Sequence, residues 1–354
     1  MSRKKNTWTY HFVALGLGIG IVVALVYCTG FGRFWQIIAR TSLYWMTVSV
    51  AFYAASWFLR TWRLRQLTNH AGKTIGRLEL FKLYISGFAL NSILPARFGD
   101  VATAVLLKTK GIDMGRSAAI VVQSRVLDAF ALVVLSLPAF VSLLEERIPL
   151  QVMAAILLGT AIVLVPIGIV VLDAHNMGSA ILERVGRKGG QRFFKLAFAT
   201  ARDAYESYRE IISDRRLLLV SMALSLMMAL CEGLTCFTIS VALGARIPII
   251  AVFAAVSIAT LGKAVPGTPG GIGIYEGLLA GVLVLFGVGF DVALVVAILD
   301  HGMKKVFNLL LGLPATAGMG FRMAQIHETA GNERPWTHDA RRASAPWESY
   351  HEGQ

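Results

Sequence analysis

Arg125 and Asp128 stand three residues apart inside one apolar run, and Asp300 and Lys304 stand four apart inside another, with His301 three residues before Lys304. On a helix these spacings put each acid and base on one face. Glu232 and Glu276 also fall within apolar segments, and Arg97, Asp100 and Lys263 stand where such segments break. An Asp, Lys or Arg at the centre of a membrane helix costs roughly 2.5 to 3.5 kcal/mol on insertion scales, so these groups must pair or face water. Two kinds of chemistry suit them. Arg97, Arg125 and Lys263 can bind a phosphate or another anionic group, while Asp100, Asp128 and Glu276 balance charge or relay protons. The structural alternative is that the pairs only lock helices together.

The breaks are as informative as the charges. "KAVPGTPGGIGIYEG", residues 263–277, sits between two strongly apolar runs. Pro266 and Pro269 are expected to end an incoming half-helix, and Gly270, Gly271 and Gly273 allow the backbone to turn and approach closely. A new half-helix should start near Gly271 to Gly273, with its positive dipole end pointing into the protein. Lys263 would add charge there, and Glu276 would lie one turn into the helix. A second break, Asn91-Ser92-Ile93-Leu94-Pro95, interrupts residues 79–110. Its first apolar piece of about 15 residues covers roughly 22 Å, short of a hydrocarbon core of roughly 30 Å.

Composition sets the frame for both. The chain has 354 residues, 56% of them hydrophobic and 16% charged, and carries a net charge of +13. Several apolar stretches reach the length of about 20 residues that a spanning helix needs. The fold class expected is all-α, a polytopic integral membrane protein. Six segments read as full spans: 11–29, 42–59, 117–138, 151–172, 217–243 and 292–319. The N-terminal run lacks a convincing cleavage site and is read as a retained first span. Residues 1–320 form one transmembrane domain, and the polar tail 321–354 is expected to be disordered. Residues 191–212 carry an apolar stripe that suits either a helix on the membrane surface or one packed on its neighbours.

The basic residues fix an orientation through the positive-inside rule. Arg60, Arg63, Arg65, Lys73 and Arg77 are read as one cytoplasmic connection, and the basic stretch 173–216 as another. Regions 79–110 and 249–287 then each enter and leave on one side, the first from the cytoplasm and the second from outside. The expectation is two re-entrant helical hairpins in an inverted-repeat arrangement, with both termini cytoplasmic. An offset of 176 supports the repeat: Asp100 falls on Glu276, Gly111 on Gly287, Arg125 on His301 and Asp128 on Lys304. In each half an ionisable residue follows the acid by 25 positions.

Other classes lose ground. No aromatic-interleaved basic motif suggests nucleic acid. Cys28, Cys231 and Cys236 lack metal or disulfide spacing. Gly262-Lys263 is followed by Ala264 where a phosphate-binding loop needs Ser or Thr. No metalloprotease or serine-hydrolase motif occurs, so no enzyme activity, cofactor or metal is expected.

"NSILPARFGD" with "RVLD", and "PGTPGGIGIYEG" with "AILDHGMKK", resemble the flippase-like membrane domain of lysylphosphatidylglycerol synthases and its stand-alone relatives. The pattern of Pro269, Gly270, Gly271, Gly273 and Glu276 is the most specific part. The resemblance implies lipid movement between leaflets of the inner membrane, without the soluble aminoacyl-transferase domain of the synthases. Two positions depart from the family: Asp100 stands where Glu is common, and His301 where Arg is expected. Histidine there favours proton coupling over phosphate binding.

The expected function is therefore the flipping of a lipid with a polar, anionic or phosphate-bearing head group through a cavity between the hairpins. Asn91, Arg97, Asp100, Arg125, Asp128, Lys263, Pro269, Gly270, Gly271, Gly273, Glu276, His301 and Lys304 are the candidate translocation residues. The partner is a membrane lipid, with a lipid-synthesis enzyme or a second copy of the chain as further candidates. The rival readings are an intramembrane lipid-modifying enzyme and a non-transporting scaffold. The geometry this predicts is that 95–100 and 269–276 approach each other.

Overall fold

Long apolar runs rich in Ser, Thr, Gly and Ala form helices here because their few polar side chains satisfy themselves locally. Thr47, Thr61, Thr235 and Thr238 each donate to the carbonyl four residues back, so a hydroxyl can be buried without losing its hydrogen bond. The computed structural model describes residues 30–94, 97–145, 192–263 and 268–318, with residues 16, 20–24 and 26–27 of the N-terminal segment. Among the described residues the secondary structure is helical throughout.

The described residues form ten α-helices: α1 (Phe31–Ala39), α2 (Leu43–His70), α3 (Arg77–Ile93), α4 (Phe98–Thr109), α5 (Met114–Glu145), α6 (Arg192–Ser213), α7 (Arg215–Ala242), α8 (Ile249–Gly262), α9 (Ile274–Leu285) and α10 (Phe290–Gly318). A 3₁₀ turn, Pro269–Gly271, precedes α9. Met114–Ala139 and Arg215–Ala242 are long and apolar enough to cross a membrane. Helices α2 and α10, of 28 and 29 residues, match them in length. The expected spans 42–59, 117–138, 217–243 and 292–319 thus fall on α2, α5, α7 and α10. Span 151–172 and the tail 321–354 lie outside the described residues, as do most of 11–29 and residues 173–191 of the connection 173–216.

One expectation is corrected. Residues 60–77 are not simply a basic connection, because α2 continues to His70. Arg60 and Arg63 are buried within it and pair with carboxylates on other helices. They are internal counter-ions, so they do not count toward orientation; Arg65, Lys73 and Arg77 remain.

Both broken regions are helix–break–helix units, and small residues let their arms close. In the first, α3 packs on α4, and a Cβ on Gly99 would overlap the Gly87 carbonyl and lie 2.7 Å from the Asn91 nitrogen. In the second, α8 packs on α9, around Ala251, Ala254, Ala255, Ala259 and Ala280, with Ala293 and Ala297 of α10 in the same cluster. Gly312 of α10 leaves room for α3, since a Cβ there would sit 2.5 Å from the Ala89 Cβ. Close approach through small side chains is how helices associate where lipid removes the hydrophobic drive.

Helix α6 packs against α5, with Tyr208 and Ile211 buried and Arg202, Asp203 and Glu206 outside.

Candidate functional site

The two breaks meet. A Cβ on Gly270, in the 3₁₀ turn, would lie 2.7 Å from the carbonyl oxygen of Ser92, at the end of α3. Beside this junction opens a cavity of about 660 Å³. Ten of the thirteen expected site residues line it: Asn91, Arg97, Asp100, Arg125, Asp128, Lys263, Gly270, Gly271, His301 and Lys304. Pro269, Gly273 and Glu276 stand directly behind, in the backbone and first turn that carry the wall.

The first break is held by Asn91. Its Oδ1 accepts from the Gly99 N–H at 2.8 Å, and its Nδ2 donates to Asp100 Oδ1 at 2.8 Å. This satisfies an otherwise free donor at the start of α4 and turns Asp100 toward α5. There Arg125 grips it with two bonds, Nη2 to Oδ1 at 2.5 Å and Nε to Oδ2 at 3.0 Å. Arg97 precedes α4 in the left-handed backbone region, φ 56°, the one described non-glycine residue with positive φ. Asn91 is thus a positioning residue whose amide is committed within the break.

The second break is built by glycine and closed by Glu276. Gly270, Gly271 and Gly273 have φ of 62°, 74° and 85°, a region that costs residues with a Cβ dearly. Helix α8 ends at Gly262, before Pro266, which with 264–267 lies outside the described residues. Helix α9 begins at Ile274 as expected, but its N-terminus is not left open for an anion. Glu276 Oε2 accepts from the Gly273 N–H at 2.7 Å, the reciprocal half of a capping box. Glu276 Oε1 meets His301 Nδ1 at 2.7 Å. An ionised carboxylate only accepts, so His301 donates from Nδ1 and its Nε2 is left over. That Nε2 is buried without a partner.

Four ion pairs surround the cavity. Arg60 pairs with Glu232; Arg63 Nη1 reaches Asp128 at 2.6 Å and Ser225 Oγ at 2.6 Å; Arg125 holds Asp100; Lys304 bonds Asp300 at 2.8 Å. Arg125 also approaches Asp128 at 3.5 Å, as the spacing of three predicts. Tyr275 donates to Asp300 at 2.6 Å and stacks on His301 with centroids 4.5 Å apart. Phe88 lies under the guanidinium groups of Arg60 and Arg125, 5.1 and 4.8 Å from its centroid, a contact worth about 0.5 to 2 kcal/mol.

The sequence does not single out Arg60, Arg63, Glu232, Tyr275, Asp300 or Lys305 as site residues: Arg60 and Arg63 read as a connection, and Lys305 stands beside Lys304. The spacing of Arg60 and Arg63, three apart like Arg125 and Asp128, is the signal that could have found the first two.

Part of the lining is apolar. Val101 and Ala104 of α4, with Met114, Ala118, Val121 and Val122 of α5, belong to it, and Val101 and Val122 are about half exposed. The cavity therefore presents both charged and aliphatic surface.

Paired broken helices, long apolar helices and buried ion pairs around a cavity define a helical membrane protein built around an internal polar site. Residues 12–312 match the lysylphosphatidylglycerol synthase TM region, and the chain belongs to that family. Similar proteins include a UPF0104 membrane protein of Methanothermobacter thermautotrophicus, 24% identical over 331 residues that cover 87% of this chain and 93% of the relative. A UPF0104 membrane protein of Pyrococcus horikoshii is 24% identical over 320 residues, 85% of this chain and 95% of the relative. A second Methanothermobacter protein of that description is 20% identical over 280 residues, 75% and 83% of the two chains.

Proposed function

We propose that this protein moves a lipid with an anionic, phosphate-bearing head group between the leaflets of the cell membrane. The observation that carries the reading is the cavity itself. Cationic side chains from both broken-helix units meet in it, its volume of about 660 Å³ suits a head group, and aliphatic side chains of α4 and α5 share its lining. The head group would cross along the charged wall while the chains remain beside α4 and α5. In this reading the two breaks are tips of re-entrant hairpins that enter from opposite faces, with the chain termini in the cytoplasm. Rocking of one half against the other would give alternating access. Backbone irregularity at membrane depth is tolerable where it lines such a cavity. No bond in the lipid need change, so the protein acts as a translocator and not as an enzyme.

Reconstitution into liposomes with head-group-labelled lipids tests this. Wild type should equilibrate label between leaflets, and a folded Arg125→Ala, Glu276→Gln double variant should not. Equal rates from the two proteins would remove the basis of the proposal, and a chemically altered lipid would make the protein an enzyme.

A further inference from the structure

Pairing the charges around the cavity leaves a remainder. Arg60, Arg63, Arg125 and Lys304 are matched by Glu232, Asp128, Asp100 and Asp300. Arg97, Lys263 and Lys305 also line the cavity and make no ion pair among the described residues; against these three stands one further carboxylate, Glu276, which is bonded to the neutral His301 ring. Lys263 lies over the Tyr275 ring, 4.3 Å from its centroid. The two lysines flank neighbouring glycines of the second break: a Cβ on Gly270 would overlap Lys305 Nζ, and one on Gly271 would lie 2.6 Å from Lys263 Cγ. His301, 3% exposed, lines the same wall with a partnerless Nε2.

From these groups we infer that the site selects a head group ending in a phosphomonoester, carrying close to two negative charges, over phosphodiester and ammonium-bearing head groups. The inference rests on the lipid-binding reading of the cavity and narrows it. A zwitterion brings no net charge to an excess of two positive charges, and a phosphodiester brings one. A terminal phosphate brings about −1.5 to −2 at pH 7. His301 adds a chemical criterion. With its Nδ1–H given to Glu276, its neutral ring offers a lone pair at Nε2, which needs a donor. An ammonium could donate, but it would lie against Lys263 and Lys305. The phosphate of a phosphodiester has no proton to give; a glycerol hydroxyl can donate to Nε2, but its phosphate stays at one negative charge. A terminal phosphate, whose second ionisation lies near pH 6, carries one negative charge while it keeps a P–OH for Nε2 and two once that proton has passed to Nε2 or to solvent.

The test uses the purified full-length chain in neutral detergent, with thermal unfolding followed as short-chain phosphatidic acid, phosphatidylglycerol or phosphatidylcholine is titrated in. Inorganic phosphate is titrated separately to distinguish a free ion from a lipid. Phosphatidic acid should protect at a concentration at least tenfold below phosphatidylglycerol, with no protection by phosphatidylcholine and weaker protection by inorganic phosphate. A Lys263→Gln, Lys305→Gln double variant should bring the two anionic lipids together, and an Arg97→Gln variant, changed at an exposed position, should narrow the gap in a protein of unaltered unfolding midpoint. Equal protection by the two lipids in wild type, or a preference unchanged in both variants, overturns the inference; protection by inorganic phosphate as strong as by phosphatidic acid overturns its lipid part. If labelled lipids cross liposomes without this preference, translocation stands and the inference falls. If the preference is present and no lipid crosses, the inference stands and translocation falls.

Discussion

Asp100 with Arg125, and Glu276 with His301, are the same device built twice with different bases. Each acid sits in the first turn of a 12-residue helix, Phe98–Thr109 or Ile274–Leu285, and each base follows its acid by 25 residues on the next helix. Those next helices begin at Met114 and Phe290 and contain Pro138 and Pro314, and every one of these positions keeps the spacing of 176. What differs is the environment. Arg125 is permanently charged, bidentate and a quarter exposed, whereas His301 makes one bond and is 3% exposed. The first unit therefore presents a fixed charge to the cavity. The second holds a group whose charge can change and whose second nitrogen is free to act.

The largest test of this contrast is the paired removal of the bases. In Arg125→Ala, Asp100 keeps only the Asn91 amide, and stripping two charge-assisted bonds from a partly buried carboxylate costs about 3 kcal/mol, the low end for a buried pair. In His301→Ala, Glu276 keeps the Gly273 N–H, so the loss should be about 1 to 3 kcal/mol. Denaturant unfolding in micelles measures both. Equal losses would mean that the two pairs do the same work and that the choice of histidine has no energetic meaning.

The arms of the two units differ as well. Gly99 faces backbone, the Gly87 carbonyl and the Asn91 nitrogen, whereas a Cβ on Gly262 would meet the end of the Leu278 side chain. Backbone cannot step aside as a leucine methyl can. Gly99→Ala should thus cost about 1 to 3 kcal/mol by overpacking, and Gly262→Ala less. A Gly262→Ala variant as damaged as Gly99→Ala, by the same unfolding measurement, would show that the second unit closes as rigidly as the first.

Much of this was legible in the sequence, for definable reasons. Apolar length reveals the helices, glycine and proline mark the breaks, and the repeated distance of 25 sets an acid and an ionisable residue at matching places in the two halves, though only the folded chain joins them as pairs. Chain continuation through charge was not legible. Arg60 and Arg63 follow an apolar run and look like its end, yet α2 carries them on because Glu232 and Asp128 await them on distant helices. Lys305 was hidden by its neighbour. Adjacent residues on a helix point about 100° apart, so Lys304 turns to Asp300 while Lys305 turns to Gly270. The task of Asn91 was equally invisible, since its partner Gly99 is fixed only once α4 folds back on α3.

The smallest expected effect probes the turns that follow the two acids. Gly111 and Gly287 have φ of 84° and 78°, so alanine at either incurs the left-handed penalty of about 1 kcal/mol. A Cβ at Gly287 would meet nothing within 4 Å, and one at Gly111 would meet only the end of the Lys73 side chain at 3.3 Å, which can swing away. Neither site thus adds a steric term, and both gain the same small stabilisation from a less flexible unfolded chain. The two alanine variants should therefore lose equal stability, within about 0.5 kcal/mol. If they do, the halves share their backbone and differ only in the chemistry mounted on it. A loss at Gly111 well above that at Gly287 would instead make the Lys73 contact part of the first turn's rigidity, and the two units would differ in frame as well as in charge.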